Sequence, residues 1–205
     1  MHIAVSGNIG SGKTTLVKKL ANHYGWQAEF ESVEENPYLV DFYDNMRKWS
    51  FHLQVYFLHS RFNQVRRIQN SPNSTIQDRT IYEDAHIFAA NLYETKLITS
   101  RDYKNYLELY RSMEKFVSPP DLLVYLKADI PKLVDQIEKR GRQYERTIQI
   151  SYLKSLNDHY QKWIAGYRQG KLLVIDVNEM NFVDNTDHFS EIVGKIDREI
   201  FGLFP

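Results

Sequence analysis

The sequence predicts an α/β fold, a parallel sheet of about five strands with helices on both faces, on three observations. The apolar stretch His2-Ile3-Ala4-Val5-Ser6 runs directly into Gly7-Asn8-Ile9-Gly10-Ser11-Gly12-Lys13-Thr14-Thr15, a complete G-x-x-x-x-G-K-[ST] pattern. Short apolar runs alternate with longer amphipathic stretches, the order that winds a parallel sheet with helices. The clearest run, Leu122-Leu123-Val124-Tyr125-Leu126, is continuously apolar, as suits a strand covered on both faces.

The first strand anchors a loop whose glycines let backbone N–H groups curl around an anion, and the helix from Thr15 adds positive potential at its start. Residues Gly7 to Thr15 are therefore expected to bind the phosphates of a nucleotide. Lys13 would reach the β- and γ-phosphates, and the Thr14 hydroxyl would be a ligand of Mg²⁺.

In the helix that follows, Leu16, Leu20 and Tyr24 share a face by i, i+4 spacing, and Gly25 supplies the stop. Ala28-Glu29-Phe30-Glu31 reads as the second strand, leading into an acidic run through Glu35 and a turn at Asn36-Pro37. From Trp49 to Ile68, Phe51, Tyr56, Phe57 and Phe62 interleave with Gln54, Arg61, Arg66 and Arg67, giving a helix with one buried and one polar face. Ser71-Pro72-Asn73 ends it. Thr75-Ile76-Gln77 is a short strand that delivers Asp78 and Arg79 at its C-terminal end, where open parallel sheets bind ligands. Helical stretches run from Glu83 to Tyr93 and from Arg101 to Phe116, until Pro119-Pro120 stops them. After the apolar strand come a helix from Pro131 to Lys139, the turn Arg140-Gly141-Arg142, a helix from Ile150 to Tyr167, and a last strand, Leu172 to Asp176.

A chain of 205 residues suits one domain, residues 1–205. Lys and Arg total 26 and Asp and Glu total 26, so no basic field is available to hold a nucleic-acid polymer. Cysteine is absent, which excludes a disulfide scaffold and a thiolate nucleophile and fits a reducing cytoplasm. No apolar run approaches the ~20 residues needed to span a bilayer. A soluble cytoplasmic protein with no membrane partner is expected.

Among phosphate-loop proteins, switch GTPases need an Asn-Lys-x-Asp and an Asp-x-x-Gly, and neither string occurs. A mechanical ATPase would end a long apolar strand in an acidic residue, whereas Leu122 to Leu126 is followed by Lys127-Ala128. A small kinase fits better, because phosphoryl transfer needs a base near an acceptor hydroxyl, cations around the phosphoryl group and an acceptor pocket.

Several segments in order then carry a resemblance: Tyr43, Trp49 to Gln54, Asp78-Arg79-Thr80-Ile81-Tyr82-Glu83-Asp84, Ile87 to Tyr93, Arg140-Gly141-Arg142, Tyr144-Glu145 and Asp176 to Glu179. Over almost its whole length the chain resembles the deoxynucleoside kinases, most of all the bacterial deoxyadenosine/deoxyguanosine kinases. The resemblance implies a P-loop kinase fold with an Arg-rich lid, ATP with Mg²⁺ as donor, a deoxynucleoside as acceptor and a homodimer. Deoxyadenosine is the expected acceptor, with deoxyguanosine and deoxycytidine next.

It also implies roles that bare chemistry can check. Glu31 matches the base that takes the 5′-hydroxyl proton, although here Ser32 stands where the family usually has Pro. On chemistry alone Glu34 and Glu35 are rivals. Gln54 resembles the glutamine that reads the nucleobase edge, its amide offering donor and acceptor in one plane. Arg61 and Asp84 match the pair at the far side of the base, where a carboxylate would accept from an exocyclic amino group and oppose thymine. Leu53, Tyr56 and Phe88 would be its apolar walls, or plain core. Tyr43 and Glu145 match the residues that hold the sugar 3′-hydroxyl. Arg79 would contact the 5′-hydroxyl region and steady Glu31, and Asp78 would hold Mg²⁺ through water. Arg140 and Arg142 would close over the phosphates as a lid. The loop Glu179 to Phe182 resembles the one around the donor adenine, with no roles assigned. A nucleoside monophosphate kinase and a non-catalytic nucleotide-binding module are the alternatives.

Overall fold

The computed structural model describes residues 1–31 and 35–202, apart from the side chain of Arg146. Strand β1 (His2–Gly7) is central. It joins β2 (Gln27–Glu29), β3 (Thr75–Asp78), β4 (Leu122–Lys127) and β5 (Lys171–Asp176) in one parallel sheet of five strands, ordered β2-β3-β1-β4-β5. The register sets Val5 beside Asp78 and Gly7 beside Leu126, so the phosphate loop and Asp78 leave the sheet at the same carboxyl edge.

Successive strand residues face opposite sides. Ile3, Val5, Leu122, Val124 and Leu126 pack against Leu16, Val17 and Leu20 of helix α1 (Lys13–Tyr24) and against Ile192, Val193 and Ile196 near the C-terminus. On the other side Ala4 and Leu123 pack with Tyr167, and Tyr125 packs with Leu153, Leu156 and Tyr160. Each fully buried Leu or Ile contributes about 2 kcal/mol. The predicted helices on both faces are therefore present.

Beyond α1 come a short helix α2 (Leu39–Asp44) and the long α3 (Met46–Asn70), which the Asn45 side chain caps by accepting from the Lys48 N–H. Helix α4 (Ile81–Glu83) opens on a capping box, Thr80 with Glu83. It continues through a π-helical turn, Asp84–Ala89, into α5 (Ala90–Glu94). Then follow α6 (Ser100–Glu114), α7 (Ile130–Arg140), α8 (Ile150–Ala165) and α9 (Thr186–Phe201).

Several elements differ from expectation. Strand β2 stops at Glu29, which puts Glu31 on the loop beyond it, where Gln64 donates to the Phe30 carbonyl at 3.0 Å. The helix expected from Glu83 starts at Ile81, because Thr80 caps it. Helix α9 was not anticipated, although Asn185 caps it and Ile192, Val193 and Ile196 form its buried stripe. Among the described residues no helix is long and apolar enough to cross a membrane.

Candidate active site

Gly10 and Gly12 carry the phosphate loop through left-handed backbone, φ 87° and 91°. A Cβ at Gly10 would lie 2.6 Å from the Leu133 carbonyl, and one at Gly12 would lie 2.8 Å from the Phe182 ring, so neither position admits a side chain. Asn8 anchors the loop from behind, its amide donating to the Leu153 carbonyl at 3.0 Å and to Asn157 Oδ1 at 2.8 Å, both on α8. Lys13 was expected to reach the β- and γ-phosphates, which suggests an exposed ammonium. It is instead buried, with Nζ donating to the Asn8 carbonyl at 2.8 Å. Burial, with Arg79 adding repulsion, pushes its ammonium down to about 7.

The loop is a wall shared by two cavities. One, of about 510 Å³, is lined by Ile9, Lys13 and Thr14 together with Glu31, Asp78 and Arg79. The other, of about 310 Å³, is lined by Gly10, Ser11, Gly12 and Thr15 with Lys132, Gln136, Met180, Asn181 and Phe182.

In the larger cavity the carboxylate of Glu31 is gripped by two guanidinium groups. Arg61 Nη2 lies 2.9 Å from Oε1 and Arg79 Nε lies 3.3 Å from Oε2. Burial alone would raise the Glu31 carboxyl, but Arg79, Arg61 and Lys13 hold it below the ordinary glutamate range. Glu31 is thus ionised and aimed. Glu35 is exposed and lines the same cavity, and Glu34 lies outside the described residues. Arg79 holds its position with φ 70°, unusual for a side chain other than glycine, and its backbone N–H donates to the Val5 carbonyl at 3.0 Å.

Thr14 and Asp78 come together as expected, Thr14 Oγ1 donating to Asp78 Oδ2 at 2.6 Å. The other oxygen, Oδ1, is buried without a hydrogen-bond partner among the described residues. A hydroxyl and a carboxylate beside the loop fit the sparse protein donor set of Mg²⁺, which leaves most positions to water and phosphate.

At the far end of the cavity lie Leu53, Gln54, Asp84 and Phe88. Gln54 and Asp84 are each 2 % exposed; Gln54 Oε1 has no hydrogen-bond partner among the described residues, as a group awaiting a ligand edge would, whereas Asp84 Oδ2 is the oxygen turned to Arg61. The π-helical turn brings Asp84 and Phe88 to the cavity. Burial pushes the Asp84 carboxyl up to about 7, with Glu31 and Glu83 adding and Arg61 opposing. The Asp84 carboxyl is thus poised to change charge near neutral pH. Arg61 stands behind the cavity: Nη1 donates to the Asp78 carbonyl at 2.8 Å, Nη2 binds Glu31, and Nε lies 3.5 Å from Asp84 Oδ2. It links Asp84 to Glu31. Tyr56 is not among the lining residues; its hydroxyl donates to the Glu35 carbonyl at 3.2 Å, and Phe57 lines the wall instead.

Tyr43, Arg140, Arg142 and Glu145 also line the cavity. The Tyr43 ring stacks on Tyr144 at 5.6 Å, and burial raises its hydroxyl well above the ordinary range. Arg140 at the end of α7 and Arg142 beyond the left-handed Gly141 both turn toward Glu145, at 2.6 Å and 3.6 Å. Sequence reasoning gave no role to Tyr144, which it quoted beside Glu145, and missed Tyr152; both line the cavity. The Tyr144 neighbour of Glu145 was a legible signal. Tyr152 lies on α8 with no local motif to mark it.

Residues 3–201 match the deoxynucleoside kinase family. The chain is 36% identical to the deoxyadenosine/deoxycytidine kinase of Bacillus subtilis, over 95% of this chain and 90% of that protein. It is 39% identical to the deoxyadenosine kinase of Dictyostelium discoideum, over 89% of this chain and 74% of that one. Among solved structures, the deoxyadenosine kinase of M. mycoides with bound dATP superposes with a TM-score of 0.84 at 29% identity, covering 96% of this chain and 99% of that chain. The glycine-shaped phosphate loop, the paired Glu31 and the open Gln54–Asp84 end thus sit in a chain that belongs to the deoxynucleoside kinase family.

Proposed function

We propose that the protein transfers the γ-phosphoryl group of ATP to the 5′-hydroxyl of a deoxynucleoside, deoxyadenosine before deoxyguanosine or deoxycytidine. The observation that carries this reading is Glu31, ionised between Arg61 and Arg79, in the same cavity as Lys13, Thr14 and Asp78. The acceptor lies in the larger cavity with its base toward Gln54 and Asp84. The donor lies along the loop with its base toward the smaller cavity beside Phe182.

Glu31 accepts the 5′-hydroxyl proton as the oxygen attacks. A carboxylate with a low pKa is a weak base, which suffices when the transition state is loose and proton transfer is late. Arg79 and Lys13 stabilise charge on the shifting phosphoryl group, and Arg140 and Arg142 close over it from the lid. Thr14 and Asp78 would hold Mg²⁺, which when bound would neutralise phosphate charge. Tyr43 and Glu145 fix the sugar 3′-hydroxyl. A nucleoside monophosphate kinase would hold its acceptor's phosphate on cations, whereas Arg61 and Arg79 are paired with Glu31. We further place the protein in the cytoplasm, as one domain of residues 1–205 that forms a homodimer, on the family resemblance and the absence of cysteine.

Purified protein assayed with ATP and Mg²⁺ against deoxyadenosine, deoxyguanosine, deoxycytidine and thymidine tests the reading. Highest kcat/KM with deoxyadenosine supports it, and phosphorylation of deoxynucleoside monophosphates in preference to all four overturns it.

A further inference from the structure

Behind Arg79 lies a second, buried carboxylate that the reaction described above does not use. Glu83 is 0% exposed, and it receives Thr80 N–H and Thr80 Oγ1 on Oε2, at 2.8 Å and 3.2 Å, and the Tyr160 hydroxyl on Oε1 at 2.8 Å. Three donors converge on it, the pattern that suits a carboxylate, which can only accept. Tyr160 in turn accepts from Arg79 Nη1 at 2.8 Å, while that same nitrogen lies 3.6 Å from Glu83 Oε1. A directed chain therefore runs Arg79 to Tyr160 to Glu83, and chains of this kind strengthen link by link.

The Arg79 guanidinium is shared between two carboxylates. Its Nε faces Glu31 at 3.3 Å, and its Nη1 faces Glu83 Oε1 at 3.6 Å, with the Tyr160 hydroxyl bonded to both. Tyr160 is held in turn by packing, fully buried with its ring stacked on Tyr125 at 5.7 Å and 22°. Neither Tyr160 nor Glu83 lines the cavity, so neither touches substrate.

We propose that Tyr160 and Glu83 are a positioning pair that sets where the Arg79 guanidinium rests between Glu83 behind it and Glu31 at the acceptor hydroxyl. This rests on the reading of Glu31 as the base. Removing the phenol oxygen leaves Nη1 without its acceptor and Glu83 Oε1 without its donor, so Arg79 draws back onto Glu83 and loosens its hold on Glu31. The charged groups facing Glu31 are Arg79 from the end of β3, Arg61 from α3 and Lys13 from α1; Asp84 also senses it, as do the hydroxyls of Tyr43 and Tyr144. Those facing Arg79 are Tyr160, Glu31, Glu83 and Asp78, with Lys13 and Arg61 near enough to repel it. Loss of one cation from Glu31 raises the pH at which it ionises.

The test is the pH profile of kcat/KM for the deoxynucleoside at saturating ATP in an Asp84→Asn background, where the group near pH 7 no longer titrates and the remaining acid limb reports the base in the enzyme–ATP complex. Tyr160→Phe keeps the ring against Tyr125 and should move that limb up by about half a pH unit or more. Adding Glu83→Gln removes the competing charge while keeping an acceptor for Thr80, and should bring the limb at least halfway back. Glu83→Gln alone should move it down, and this variant decides the matter if Tyr160→Phe does not fold. An unmoved limb in folded Tyr160→Phe, a double variant displaced as far as the single, or an upward or absent shift in Glu83→Gln overturns the proposal. Glu31→Gln separates the two claims: retained turnover there defeats the reading of Glu31 as base, whereas its loss together with an unmoved limb in Tyr160→Phe defeats the positioning pair alone.

Discussion

Arg140 and Glu145 are locked in a forked ion pair across the turn that follows α7, with Arg140 Nη2 2.6 Å from both carboxylate oxygens and Nε 3.0 Å from Oε2. The arginine proposed for the lid and the carboxylate proposed for the sugar are thus one unit. The Glu145 side chain is 5% exposed and that of Arg140 33%, so the pair joins the sugar end of the cavity to the solvent edge. Arg140→Ala should therefore act at both substrates, lowering kcat by about tenfold or more through the lost phosphate contact and raising the acceptor KM through a Glu145 left unbraced. Steady-state kinetics with each substrate varied checks it. A kcat loss with unchanged acceptor KM contradicts the coupling.

Lys13→Met should abolish phosphoryl transfer, by about a thousandfold or more, without lowering the melting temperature. The reason is the burial of its ammonium. The substitution removes a desolvated charge while the chain volume is kept, and the Asn8 carbonyl retains the Ser11 N–H as a donor at 3.1 Å. Thermal melting alongside the assay decides it. A marked loss of stability would show that Lys13 holds the loop together as well as the phosphates.

ATP binding should take up a proton at pH 8. The Lys13 ammonium is pushed down to about 7 in the free protein, so at pH 8 most of it is neutral. Phosphate oxygens beside it favour the charged form and raise the pKa, and the proton comes from buffer. The phosphates of ATP are already deprotonated at that pH and release none in return. Calorimetric binding enthalpies in two buffers of different ionisation heat should differ with the sign of uptake; equal enthalpies contradict it.

Discrimination against thymidine should grow with pH. Asp84 is pushed up to about 7, so below that pH it carries an O–H that can donate to the thymine O4, and above it only accepts. An exocyclic amino group prefers the ionised form. Between pH 6 and pH 8 the ratio of kcat/KM for deoxyadenosine over thymidine should rise by about tenfold. Asp84→Asn, with a donor and an acceptor at every pH, should flatten the dependence. A flat ratio in the unaltered protein, or an equal rise in the variant, contradicts the role of Asp84.

What could be read in the sequence was local. Gly10, Gly12 and Lys13 announce the phosphate loop because their spacing is itself the structure, and the apolar run from Leu122 to Leu126 announces a strand buried on both faces. The box of Thr80 with Glu83 was equally legible and marks the true start of α4, a signal the periodicity alone obscured. What could not be read depends on how distant segments meet. Arg61, from the middle of α3, turns to Glu31 and the Asp78 carbonyl, and Tyr160, from α8, closes on Arg79 only because the sheet brings both under the same edge. The burial that moves Lys13 and Asp84 toward neutral pH is likewise a property of packing, invisible in the residue types.

Glu31→Gln is the most direct measurement, made beside Glu34→Gln and Glu35→Gln as controls from the same acidic run. The amide is nearly isosteric and can still receive a hydrogen bond from Arg61 or Arg79, so deoxyadenosine should bind while kcat falls by at least about a hundredfold for want of a proton acceptor. Substitution of Glu34 or Glu35 should leave kcat within about threefold of the unaltered enzyme. Turnover that survives in Glu31→Gln, with its loss in Glu34→Gln or Glu35→Gln, would contradict the assignment of the base and with it the placement of the 5′-hydroxyl between Arg79 and the phosphate loop.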